Sequence, residues 1–148
     1  MDSIRRYAIV IPSMAAILFL AVGCSESKVS QCSKIVKIAT QTVKQTETIV
    51  PRGKKVTPEI ILKGAETMDK AAQSMSAIEV SDAKLKEYQG SFIKMYRDIG
   101  KTIRAFGVAA RQKDRIAAMS ALKNWQQASF REQENRLATG IKTYCQSQ

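Results

Sequence analysis

"LKEYQGSFIKMYRDIGKTIRAFGVAA", residues 85–110, decides the fold class. Leu85, Tyr88, Phe92, Met95, Ile99, Ile103, Phe106 and Ala110 recur every three or four positions, the spacing of one face of an α-helix. Ser81 and Asp82 stand just ahead of the run as N-terminal capping signals. A helix continuing unbroken from here to Cys145 would span ~95 Å at ~1.5 Å per residue, too long for a compact domain of this size. The chain must therefore turn back. The turn is expected at "ARQKDRI", residues 110–116, with Asp114 as the next N-cap and Gly107 as an earlier alternative.

Beyond that turn, Ile116, Met119, Leu122, Phe130, Leu137, Ile141 and Tyr144 outline another helix, interrupted by Gln126 and Gln133 around "QQASF", residues 126–130. Before the decisive run, Thr57 as N-cap, Pro58 at the first helical position and Glu59 in the first turn open a helix. Its face is Ile61, Ala65, Met68, Ala72 and Met75, a narrow seam of small or flexible side chains that lets a neighbour approach closely. The first helix is expected from Val29, with a stripe of Val29, Cys32, Val36, Ala39, Val43 and Val50. "IVKIATQTVKQTETIV", residues 35–50, is crowded with β-branched residues that favour strands, so this stripe is the least distinct. Pro51 and Gly53 then break the pattern. Four helices with short connections imply antiparallel neighbours: an all-α, up-down-up-down four-helix bundle over residues 29–148.

The N-terminus has a different character. Arg5 and Arg6 precede the uncharged run "YAIVIPSMAAILFLAVG", residues 7–23, in the layout of a secretory signal. The run closes on "LAVGC", which places small residues before Cys24 and resembles the lipobox of bacterial lipoproteins. An uncleaved membrane span competes, but 17 residues with Pro12 among them sit at the short limit for crossing a bilayer. Residues 1–23 are thus expected to be a signal peptide, with Cys24 lipidated and residues 24–28 a tether. Diacylglycerol on the thiol plus an amide-linked chain such as palmitate exceeds the two signals that stable membrane anchoring needs.

Export would bring the remaining thiols, Cys32 and Cys145, into a compartment where disulfides form. In an antiparallel bundle the end of the fourth helix lies near the start of the first, so their pairing and the topology support each other. Two free buried thiols are the alternative. A metal site is the weakest reading, because with no histidine and two thiolates zinc would need carboxylates to complete its shell.

The chain has 148 residues, enough for one core, and a formal charge of +11 from 24 Lys and Arg against 13 Asp and Glu. It contains no histidine, which excludes imidazole bases and the usual serine or cysteine nucleophile arrangements. No phosphate-cradling GxxxxGK occurs, and Glu132 and Glu134 are two apart and diverge on a helix, so they make no acid/base pair. The expectation is a non-enzymatic protein without cofactor or metal. The one patterned polar feature is a stripe of Lys94, Arg97, Lys101, Arg104, Arg111 and Arg115, roughly 150° from the apolar stripe of the same helix. Such a stripe is either an ordinary solvated face or a rail for an anionic partner, an acidic protein or an anionic lipid surface. Export and the placement of Tyr88, Phe92 and Phe106 on the core stripe argue against nucleic acid. Tyr96 and Trp125 lie beside their stripes and read as side-packing residues.

"LAVGC", the early Cys32, "SDAKLKEYQGSFIKMYRDIGK" (residues 81–101) and "TYC" (residues 143–145) together resemble a group of small helical lipoproteins of cyanobacterial type. The resemblance implies an anchor facing the periplasm or thylakoid lumen and carries no activity with it. In size and plan the chain is also similar to the four-helix lipoprotein of cyanobacterial photosystems, an analogy of architecture only. The functional expectation is a lipid-anchored helical adaptor that binds a protein or membrane component through Lys94, Arg97, Lys101, Arg104 and Arg111. The alternative is a carrier of a small apolar or anionic ligand held between the second and fourth helices, with Met68, Met75 and Met119 lining the space.

Overall fold

The computed structural model describes residues 26–49 and 55–147, and every regular element among them is an α-helix. The expected signal peptide, Cys24, and the Val50, Pro51 and Gly53 of the first break lie outside the described residues. Five helices follow in order: α1 Lys28–Ile49, α2 Pro58–Ser76, α3 Ala83–Gln112, α4 Arg115–Gln127 and α5 Phe130–Gln146.

The capping signals act as expected. Thr57 accepts from the Ile60 amide ahead of Pro58, Asp82 from the Leu85 amide and Asp114 from the Ala117 amide. α3 runs straight through Gly107 and stops at Lys113, which adopts a left-handed conformation with φ 59° while its amide and that of Asp114 bond back to Ala110 and Ala109. The predicted fourth helix is two helices. Ser129, with φ 49°, breaks it within "QQASF", and the Gln133 amide group caps α4 by donating to the Ala128 carbonyl at 2.8 Å. That bond explains a glutamine in an inward position.

The core gathers Cys32, Ile35, Met68, Met75, Leu85, Phe92, Met95, Tyr96, Phe130 and Ile141 from four of the five helices. α2 and α3 share the most extensive contact in the molecule. The small seam expected on α2 is met by glycines on α3: a Cβ at Gly107 would stand 2.9 Å from Leu62 Cδ2 and 3.1 Å from Ile61 Cγ2, and one at Gly100 would stand 3.3 Å from Met68 Cβ. Close approach of the two backbones requires both positions to lack a side chain.

Two expected faces are displaced. On α1 the buried residues are Gln31, Cys32, Ile35 and Thr42, while Val29, Val36 and Val43 are exposed. Both sets satisfy a three-to-four spacing, and the buried one wins because Gln31 has a polar partner waiting. Its side chain accepts from the Ser81 and Asp82 amides at 2.9 and 3.2 Å and donates to Ser81 Oγ at 2.9 Å and the Glu26 carbonyl at 2.6 Å. On α4, Ile116 is 85% and Met119 67% exposed, and the residue facing inward is Ala121. At about 100° per residue Ile116 and Met119 fall roughly 140–160° from Ala121, on the opposite side of the helix, while Leu122 lies nearer to it and is less exposed.

Cys32 and Cys145 form a disulfide across 113 residues of sequence, with their Cα atoms 6.0 Å apart. It joins the start of α1 to the end of α5. Cys32→Ser with Cys145→Ser is expected to lower the unfolding free energy by about 2–4 kcal/mol in urea titrations, and reductant should reproduce the loss in the unaltered chain. Glycine contrasts offer a second check by thermal unfolding. Gly107→Leu should destabilise by about 1–3 kcal/mol by forcing α2 and α3 apart. Gly90→Ala, where a Cβ meets nothing within 4 Å, should stabilise by about 0.5–1 kcal/mol.

Candidate functional site

Lys94, Arg97, Lys101, Arg104 and Arg111 are all exposed and share the outer ridge of α3. On one side of the ridge lies α2, reached by the Arg104 ion pair to Asp69; on the other lie α4 and α5. Lys94 pairs with Asp98 one turn on at 2.5 Å. Arg111 faces Glu59 in the first turn of α2; that carboxyl sits below its ordinary value, held down by its own backbone amide, then by the Thr57 hydroxyl and by Arg111. Among the described residues no carboxylate lies within 4 Å of Arg97 or Lys101. Exposed pairs of this kind hold little energy and exchange readily for an outside anion. Arg115, which continues the spacing, lies past the Lys113 turn on α4.

The cluster that sequence reasoning missed sits where the termini of the helical region meet. Tyr144 donates its hydroxyl to the Asp82 carboxylate at 3.0 Å, its ring lies 3.8 Å beneath Lys28 Nζ, and it stacks obliquely against Tyr88. Asp82 therefore caps α3 and binds α5 at once. The Leu85 amide, more than the Tyr144 hydroxyl or the distant charge of Lys28, holds its carboxyl below the usual range. Burial, aided by the same carboxylate, pushes the Tyr144 phenol up. Asp82 was legible as a cap, but Tyr144 reads in sequence as one more member of an apolar stripe.

The two aromatics beside the stripes differ. Tyr96 is buried against Phe92 and Thr42, and burial pushes its phenol up to about 12. It is a packing residue. Trp125 packs on Phe130, with ring centroids 5.1 Å apart, yet stays 40% exposed at the edge of an apolar cleft. The methionines expected to line a ligand space do not do so. Met68 and Met75 are buried in the core, and Met119 points to solvent on the side of α4 opposite Ala121. Among the described residues no cluster of acidic or cysteine side chains could hold a metal ion, and no helix is long and apolar enough to cross a membrane.

Comparison with known proteins finds no matching family model, no similar curated protein and no similar solved structure. The site is interpreted from its own chemistry.

The Asp82 contact gives a pH signature. A carboxyl whose folded value is depressed contributes stability that is complete above its ordinary value and is lost as pH falls through the folded value. The thermal midpoint should therefore fall between about pH 5 and pH 2 more steeply in the unaltered chain than in Asp82→Asn, which keeps an acceptor for the cap but no titrating charge.

Proposed function

We propose that this protein is a lipid-anchored, non-enzymatic helical adaptor that recognises an acidic protein surface through the basic ridge of α3. In this reading residues 1–23 are a signal peptide, Cys24 carries the lipid, and the helices form an up-down-up-down bundle in which α4 and α5 together serve as the fourth member. Antiparallel registers support that topology: Gly107 lies beside Leu62, Gly100 beside Met68, and Gln89 donates to the carbonyls of Met75 and Ile78.

The position of the ridge along α3 carries the choice of partner. α1 begins at Lys28, four residues past Cys24, so the anchored end of the bundle is the end that holds Gln31, Ser81, Asp82 and the disulfide. α3 starts at that same end with Ala83. At ~1.5 Å per residue, Lys94 stands ~16 Å along the helix and Arg111 ~42 Å. Both distances exceed the Debye length of about 8 Å at physiological ionic strength, so an upright bundle turns its free cations away from its own leaflet and toward a neighbour. Rim charges of this kind govern encounter rate and choice of partner more than final affinity.

Arg97→Glu, Lys101→Glu and Arg111→Glu, combined in the tagged lipoprotein in its own membrane, should abolish crosslinking to its most abundant partner without lowering its membrane-bound amount. A partner list indifferent to the three reversals would leave the ridge as a solvated face and end the adaptor reading. Release of the lipoprotein itself from the membrane by the same reversals would point instead to anionic lipid.

A further inference from the structure

At the end of the bundle opposite the disulfide, α1, α2, α3 and α4 diverge around a cleft of about 280 Å³. Ile49, Ile60, Ile103, Phe106, Leu122 and Trp125 form much of its wall, each helix contributing. Among the described residues no charged side chain lines it. Its two hydroxyl groups are already committed: Thr46 donates to the Thr42 carbonyl at 2.8 Å and Thr102 to the Asp98 carbonyl at 2.9 Å, each within its own helix. Among the described residues a ligand entering the cleft finds apolar carbon on four sides and no charged group, the indole N–H of Trp125 being the one uncommitted donor among the lining side chains.

We infer that this cleft is a binding site for a small, neutral, apolar molecule. The size argues for one to two rings or a hydrocarbon chain of equal volume, since apolar cavities of about 150 Å³ accept benzene and drug-sized pockets begin near 300 Å³. Apolar walls without atoms opposite them forfeit dispersion contacts that such a ligand restores. A position between the helices of a bundle is a common one for ligand sites. The inference stands apart from the α3 ridge, which faces outward and shares no residue with the cleft. It also narrows the carrier expected from sequence: the ligand is apolar, not anionic, and it lies away from Met68 and Met75.

Gly64 makes the test possible without unfolding the protein. It borders the cleft, and a Cβ there meets only Ile103 Cγ2 at 3.9 Å, an ordinary contact. Gly64→Leu should fill the cleft and, by replacing a helical glycine, leave the thermal midpoint unchanged or raised. The full lipoprotein in its own membrane is photolabelled with 3-trifluoromethyl-3-phenyldiazirine, a neutral single-ring probe, and the labelled peptides are sequenced by mass spectrometry. Label is expected in α2 and α4 peptides bordering the cleft, displaced by excess naphthalene and reduced tenfold or more in Gly64→Leu. Label confined to the N-terminal anchor, or retained at α2 and α4 in Gly64→Leu, would overturn the inference. So would sedimentation showing that Gly64→Leu turns a dimer into a monomer, because the cleft would then be an interface between copies of this chain.

Discussion

The link between Cys32 and Cys145 is the constraint on which the other features rest. It closes a loop of nearly the whole folded region, so the unfolded chain it restrains is about as long as a single domain allows. It also acts locally. α1 packs mainly on α2 and has little contact with α3, and its apolar side chains are divided between two faces. The disulfide ties its first turns to α5, while Gln31 ties them to the α2–α3 turn through three hydrogen bonds. Tyr144 and Asp82 join α5 to α3 a few ångströms away. One end of the molecule is thus bound covalently and by polar contacts.

The opposite end is organised differently. There the α2–α3 pair continues as a close-packed spine, with Gly107 against Leu62, but α1 and α4 stand off it and leave an apolar space. Ala121 is the one buried residue of α4, and a helix that presents a methyl group to its neighbours fills less volume than one that presents leucine. The same end therefore carries both the cleft and the exposed Ile116 and Met119. A clamped end and an open end on one rigid spine give the molecule a polarity, with binding features displaced from the clamp.

Much of this was legible in the residues themselves. The α3 stripe, the three caps at Thr57, Asp82 and Asp114, the turn at "ARQKDRI" and the small seam of α2 all depend on local geometry, and each is found where its spacing placed it. The readings that shifted depend on partners distant in sequence. Val29, Val36 and Val43 lost the core to Ile35 and Thr42 as Gln31 turned inward to meet Ser81 and Asp82, some fifty residues on. The fourth stripe was read through Ser129, where a left-handed residue resets the helix and with it the inward direction. Tyr144 hid among apolar residues because its ring packs there while its hydroxyl reaches Asp82.

Sequence by itself determined that the described chain is helical, where most of its helices begin and end, and that α3 carries a cationic ridge opposite its core face, because period, capping and charge spacing act over one or two turns. Tertiary structure alone decided which side of α1 and α4 is buried, how closely α2 approaches α3, and that an apolar cleft opens at one end. Those outcomes depend on how much volume each helix brings to a shared space and on whether a buried polar group meets its partner, quantities that belong to pairs of elements and not to any one of them.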